Sequence, residues 1–357
     1  MENNKSSLSG LKKEDFQKVI NGKETDLFFL TNANGMEVAI TNYGGALVAI
    51  MVPDREGQMA NIIQGHDNID DCVNSPEPFL STLVGRYGNR ICKGNFTLNG
   101  KEYHLAINNG PNALHGGPEG FQNQIWNSRV EGDSVVFTHF SPDGDEHYPG
   151  NMIVTAIYAW SDDCTLSLKL GAVSDADTIV NLTNHTYFNL SGEGSGSVLG
   201  HKLSLACSNY VPTDDTLIPT GEIAPVAGTP MDFTTAKTLG EEIKADFPAL
   251  VYGKGYDNCW LVDGWDGTMK TVAVLTDENS GRVVEVATDQ PAAQVYTGNW
   301  LAGAPKGKRG CDFADYDAVA IECQGVPDAP NQPQFPTQLL KAGERYDREI
   351  VFKFKTL

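Results

Sequence analysis

The sequence predicts an all-β protein, a large antiparallel sandwich of two packed sheets with very little helix. Three observations carry that expectation. Period-two segments rich in β-branched and aromatic residues recur along nearly the whole chain. Gly 37 and Pro 18 supply turn residues between them. Helical periodicity, by contrast, is scarce.

Taken in order, "MEVAITNYGGALVAIMV" (36–52) opens the series of predicted strands. "FTLNGKEYHL" (96–105) places Asn99-Gly100 between two short runs, the preferred turn of a two-residue hairpin. "SVVFTHF" (134–140), "MIVTAIYAW" (152–160) and "TLSLKL" (165–170) follow as strands. "NLTNHTYFNL" (181–190) reads as a strand with a mostly apolar face and a polar one made of Asn181, Thr183, His185, Tyr187 and Asn189. "TTAKTLGEEIKADFPAL" (234–250) alone has helical spacing, with Leu239, Ile243 and Phe247 at i, i+4 and i+8. "KTVAVLTDE" (270–278), "RVVEVATD" (282–289), "AVAIECQ" (318–324) and "YDREIVFKF" (346–354) complete the strands. Strands do not alternate with helices, so a parallel α/β fold is disfavoured. No linker splits the chain, and residues 1–357 read as one domain, with 1–20 a flexible or peripheral N-terminal segment. "SGEGSGSVLG" (191–200) is the most flexible-looking stretch.

The formal net charge of −20 disfavours nucleic acid, anionic membranes and phosphorylated substrates, and suits a neutral or cationic ligand. Seven scattered cysteines without a C-x-x-C read as reduced, mostly buried thiols. No apolar run of about 18 residues points to a membrane span. The polar N-terminus lacks a signal-peptide hydrophobic region, so cytoplasm is the expected compartment. No G-x-G-x-x-G in a βαβ context, G-x-x-x-x-G-K-[ST] or H-E-x-x-H occurs, and "PDGDEH" (142–147) reads as a polar turn. A surplus of carboxylates could hold a surface cation such as calcium, but no spacing points to a site.

Histidines and carboxylates in unusual company are the candidates for chemistry. Five polar groups on one strand face would lack partners if packed against apolar residues. A solvated face or a cleft for a polyhydroxylated ligand would each answer that. His115 lies in a glycine-shaped loop, "NNGPNALHGG". Glu322 shares a strand face with Ala318 and Ala320, where it sits either on an exposed edge or in a partly dry site that raises its pKa towards a general base's range. "GRYGNRI" (85–91) offers two guanidiniums: a surface ion pair for Arg86, a directional clamp for Arg90.

The stretch 181–190 resembles the signature of the aldose 1-epimerases (galactose mutarotases). "GRYGNRI", "GPNALHGG", "SPDGDEHYPG" (141–150), "GYDNCW" (255–260), "QVYTGNW" (294–300) and "AIECQGVPDAPNQP" (320–333) stand around it in the same order. The resemblance runs from about Asn42 to the last strand. It implies a supersandwich-like, galactose mutarotase-like β fold and interconversion of the α and β anomers of free aldohexoses through the open-chain aldehyde. By the same resemblance His185 would protonate the ring oxygen and Glu322 would take the proton of the C1 hydroxyl. His115, Asn89, Arg90, Asp257, Gln294 and Tyr187 would hold the sugar, making the polar strand face the floor of its site. No metal, nucleotide or other cofactor is required, and a monomer or weak dimer is expected. Trp300, where relatives commonly carry Phe, is expected to pack in the core. A hexose-6-phosphate 1-epimerase and a non-catalytic carbohydrate-binding domain of the same fold are the rival readings. With unperturbed groups, Glu322 would set the acidic limb of a bell-shaped pH profile.

Overall fold

The computed structural model describes residues 7–303 and 307–357, so residues 1–6 of the N-terminal segment lie outside the described residues. The largest sheet has nine antiparallel strands, and at its centre Thr165–Ser174 pairs with Met152–Trp160 on one side and Arg345–Thr356 on the other. Period two is literal in Met152–Trp160: Met152, Val154, Ala156, Tyr158 and Trp160 are buried while Ile153 is exposed. Alternate side chains point to opposite faces, so one face of this sheet covers the core and the other meets water.

A six-stranded antiparallel sheet, in the order Tyr187–Phe188, Val319–Gln324, Ala292–Tyr296, Asp257–Leu261, Asn209–Val211 and Ala224–Pro225, supplies the opposing layer. Phe188, Trp260, Val295, Ile321 and Cys323 from it join Tyr158, Val284 and Phe352 of the large sheet in one hydrophobic cluster. Val38, Ile40 and Ile50 of a four-stranded sheet enter the same cluster. The predicted segment 36–52 is therefore two strands, Glu37–Thr41 and Leu47–Pro53, with a turn between them. Residues 7–20 are seated against this sheet, with Leu11 and Phe16 buried beside Leu27 and Ala39. Asn99 (φ 51°) and Gly100 (φ 76°) form the predicted hairpin turn, because both central residues of such a turn need positive φ.

Four expectations change. Residues 234–247 are not a helix: Lys237–Thr238 pairs with Lys202 and Leu203 at the edge of the large sheet, and Leu239 N–H donates to His201 O at 2.9 Å. Leu239 and Ile243 are buried all the same, and sheet pairing satisfies the backbone where an isolated helix would have to nucleate. The helix begins only at Pro248–Gly253, with Pro248 in its first turn, where a missing N–H is harmless. Arg86 is no surface ion-pair residue. It is buried, donating to Ser141 Oγ, Ser141 O, Pro142 O and Pro149 O at 2.8–2.9 Å. The glycine-rich 191–200 is tied down through Glu193, whose carboxylate lies 3.0 Å from the buried Lys308 Nζ. The thiols are free but not mostly buried: Cys207, Cys259 and Cys323 are, and the other four are half-buried.

Candidate active site

The six-stranded sheet has a second face, and period two decides what it presents. Ile321 and Cys323 point into the core, so Ala320 and Glu322 point away from it. Cross-strand pairing adds Gln294 beside Glu322 and Tyr296 beside Ala320, and then Asp257 beside Tyr296. Tyr187 pairs with Ala320 from the other side. Extending that antiparallel register by two residues sets His185 opposite Glu322, and His185 Nε2 lies 3.5 Å from Glu322 Oε1. Alanine at 320 leaves space between Tyr187 and Tyr296, whose ring centroids are 6.1 Å apart.

A second, smaller pairing closes the site from the side. Arg90–Ile91 pairs with Ala113–Leu114, so Asn89 and Arg90 stand next to His115. His115 N–H donates to Asn89 O at 3.1 Å, and Asn89 N–H donates to His115 Nδ1 at 3.0 Å. Because Nδ1 accepts, a neutral His115 carries its proton on Nε2 and offers a donor there. Gly116 follows at φ 85°, where a Cβ would come within 1.9 Å of Gly85 O, so only glycine permits this return. Arg90 Nε donates to Asn109 Oδ1 at 3.0 Å, and its Nη2 lies 3.5 Å from Asp257 Oδ2. Asp257 Oδ1 accepts from Gln294 Nε2 at 2.7 Å, which links the guanidinium to the strand carrying Glu322's neighbour.

These groups line a cavity of about 850 Å³, within the usual range for small-molecule sites. All eight residues singled out from the sequence, His185, Glu322, Asn89, Arg90, His115, Tyr187, Asp257 and Gln294, are buried, and seven of them line it directly. Gln294 is the eighth and reaches it through Asp257 and Glu322. Four buried atoms here have no hydrogen-bond partner: His185 Nδ1, Glu322 Oε2, Gln294 Oε1 and Gln122 Oε1. Orphaned buried polar atoms are costly, and together they describe where a polar ligand would bond.

Electrostatics follow from burial. The His185 ring is enclosed by Tyr187, His115 and Tyr296 at 4.7, 5.3 and 6.0 Å between centroids. Burial pushes its pKa down to about 4. His115 is held well below its ordinary value by burial, and then by the positive potential of His185 and Arg90. Burial, reinforced by Asp257 and partly offset by Arg90, holds Glu322 well above the carboxylate range. Between its two titrations the His185–Glu322 pair keeps one proton. That proton can reside on either member, so the pair can donate at one position and accept at another.

Three strand-face residues expected in the site floor are elsewhere. The stretch 181–190 is broken into Thr183–Asn184 and Tyr187–Phe188, not one strand. Asn181 Nδ2 donates to Gly88 O at 2.9 Å, and its Oδ1 accepts from Gly325 N–H at 2.8 Å. Thr183 Oγ1 donates to Cys323 O at 2.7 Å, and Asn189 Nδ2 donates to Gly196 O and Asp317 O. Backbone carbonyls and N–H groups satisfy these buried groups, leaving only His185 and Tyr187 for the cavity. Trp300 is not in the core but 42% exposed at the cavity rim, stacked on Tyr296 with centroids 6.2 Å apart.

The sequence reading also passed over Glu77, Phe79, Asn109 and Tyr296, which line the cavity. Tyr296 was legible, two residues past Gln294 on the same strand face. Asn109 lies in a segment already singled out around His115. Glu77 and Phe79, in "NSPEPF", gave no periodic signal. Phe79 nevertheless packs over both histidines, 4.6 Å from His115 and 6.2 Å from His185.

Comparison with known proteins adds the family context. The aldose 1-epimerase family profile matches residues 26–353. A galactose mutarotase from Bos taurus is 41% identical over 326 residues, 91% of this chain and 93% of that protein. An aldose 1-epimerase from Escherichia coli K12 is 35% identical, covering 93% and 96%. Among solved structures, a C. elegans aldose epimerase homologue superposes with TM-score 0.86 at 29% identity, over 93% of this chain and 99% of that one. A galactose 1-epimerase from Lactobacillus acidophilus gives 0.82 at 29% identity, covering 95% and 97%.

Proposed function

The chain belongs to the aldose 1-epimerase family, and we propose that its His185–Glu322 pair performs that family's reaction by proton transfer at C1 and the ring oxygen. The protein is an isomerase that interconverts α and β anomers of free aldoses, as the names of its galactose mutarotase relatives indicate. The observation that carries the reading of the site is the 3.5 Å approach of His185 Nε2 to Glu322 Oε1, two buried side chains in the wall of a ligand-sized cavity.

In the ring-opening step Glu322, ionised, accepts the proton of the C1 hydroxyl. His185, protonated, gives its proton to O5 as the C1–O5 bond breaks and C1 becomes the aldehyde carbon. Rotation about C1–C2 presents the other carbonyl face. His185 then removes the proton from the O5 hydroxyl, O5 attacks C1, and Glu322 returns a proton to O1. Protons balance over the cycle, and the pair ends as it began. His115 Nε2–H donates to the substrate near the reacting oxygens. Arg90, Asn89, Asp257 and Gln294 fix the remaining hydroxyls, so the reacting atoms stay aligned with both proton carriers. We read residues 1–357 as one domain acting alone or as a weak dimer, in the cytoplasm. Among the described residues no helix is long and apolar enough to cross a membrane.

A phosphorylated hexose fits less well. Glu77, Asp215, Asp257 and Glu322 line the cavity against Arg90, the one Arg or Lys among the described lining residues. A metal also fits poorly, although donor atoms of His115, His185 and Glu322 lie within 4.8 Å of one another. His115 would have to lose the Nε2 proton that its Nδ1 bond to Asn89 enforces. A cation would also occupy the positions from which His185 and Glu322 exchange protons. Polarimetry of freshly dissolved α-D-galactose and α-D-glucose tests the function. Catalysed mutarotation is expected, and it should survive exhaustive dialysis against EDTA. Activity lost to EDTA and restored by one metal would reject the metal-free reading.

The pH dependence follows from the same environment, with its sign set by the shifts. Below about 4, His185 and Glu322 are both protonated, and no base remains. Above the raised pKa of Glu322 both have lost their protons, and no acid remains. In between, the pair carries one proton and turns over. Thus kcat/KM should be bell-shaped, with the acidic limb belonging to His185 and the alkaline limb to Glu322. This reverses the order expected from unperturbed groups. Glu77, pushed up to about 7 by burial, adds its charge on the alkaline side. The residual activity of Glu322→Gln should lose the alkaline limb and keep the acidic one. Loss of the acidic limb instead would restore the ordinary assignment.

A further inference from the structure

The cavity wall carries more carboxyl groups than cationic side chains. Glu77, Asp215, Asp257 and Glu322 contribute carboxyl groups, while the single lining guanidinium, Arg90, is already turned towards Asp257 at 3.5 Å. Of the buried atoms without partners, Glu322 Oε2 belongs to one of these carboxyls, and Gln294 Oε1 and Gln122 Oε1 are two further acceptors. Glu77 has no part in the proton transfers derived above, yet it stands in the wall beside them. Pro76 and Pro78 flank it, each with φ restricted to about −65°, so a stiff loop presents its side chain. One oxygen accepts Phe79 N–H at 3.3 Å, and the Tyr187 hydroxyl bonds to the same carboxyl. A carboxylate has about four lone-pair sites, so acceptor capacity remains.

We propose that the site also takes 2-amino-2-deoxy aldoses, with Glu77 as the residue that binds their protonated amino group. The inference rests on the His185–Glu322 reading of the site. Glu77 lines the same cavity as Glu322, the group assigned to the C1 hydroxyl. Its phenol neighbour Tyr187 packs 4.7 Å from His185, the group assigned to the ring oxygen. The substituent closest to C1 that does not share O5 is the one on C2, and a carboxyl in the wall of the cavity that would hold C1 is offered to it. An ammonium there has three donors for a wall of acceptors, where a hydroxyl has one. It would also offset the burial that raises Glu77 to about 7.

The test measures anomer exchange by NMR at neutral pH on D-galactose and 2-amino-2-deoxy-D-galactose. The amino sugar is expected to reach a kcat/KM at least equal to that of galactose. Glu77→Gln should lower the amino-sugar-to-galactose ratio roughly tenfold, the scale of one hydrogen bond to a charged group. If that variant does not fold, the wild-type protein still decides: raising ionic strength should lower the amino-sugar rate more than the galactose rate. Good turnover of galactose with poor turnover of the amino sugar would overturn the inference alone, as would a ratio unchanged by both Glu77→Gln and salt. Failure on galactose itself would overturn both this inference and the reading it rests on.

Discussion

Replacing His185 by Asn, or Glu322 by Gln, is expected to lower kcat by roughly 10²–10⁴-fold, the usual contribution of a positioned proton carrier. Both substitutions roughly keep size and polarity, so the cavity should still bind sugar and KM should change much less. The geometry gives the pair a further property. Each member's protonation state depends on the other across 3.5 Å, so the double variant should fall little below the worse single one. Glu322→Gln removes a carboxyl that is costly to ionise in a dry site, so its thermal stability should hold or rise while activity falls. Rates from polarimetry, with melting temperatures from the same preparations, check this. A folded variant with near-normal kcat would remove that residue from the mechanism.

Arg90→Ala and Asp257→Ala should each lower kcat/KM by roughly 10–100-fold, the range for losing hydrogen bonds to charged groups. Both KM and kcat should change, because a sugar no longer held at its remote hydroxyls also loses alignment with His185 and Glu322. The two variants differ in stability. Arg90 and Asp257 are both buried, so each single deletion leaves an opposite charge without its partner, at a cost of about 3–5 kcal/mol where burial is complete. Gln294 Nε2 still serves Asp257 when Arg90 is gone, and Asn109 Oδ1 still serves Arg90 when Asp257 is gone. The double alanine variant should therefore unfold at a temperature closer to wild type than the sum of the two shifts. Steady-state kinetics with thermal unfolding decides the point. Normal kinetics in both singles would place the sugar elsewhere.

Much of the site was legible because it sits on strands. Period two alone puts Glu322 on the face opposite Ile321 and Cys323, and Tyr296 on the face of Gln294. The polar residues at 181–189 were read correctly as having to find partners, but not which partners. Asn181, Thr183 and Asn189 meet backbone carbonyls of residues 88, 323 and 317, far away in the chain, and of Gly196 in the next loop. Arg86 misled for the same reason, since its four acceptors come from residues 141–149. The spacing of Leu239, Ile243 and Phe247 predicted a helix, yet pairing of Lys237–Thr238 at a sheet edge prevailed over local periodicity.

The sequence by itself determined the β character, the alternation that separates core face from cavity face, the motif residues and the negative charge. These are local properties, written in spacing and composition. Tertiary structure alone decided three further things. It placed Glu77 and Phe79 beside the histidines, set Trp300 at the rim, and buried His185 and Glu322, which pushes the first pKa down and the second up. The physical reason is that desolvation depends on every neighbour at once, and those neighbours come from loops and strands that no local pattern relates.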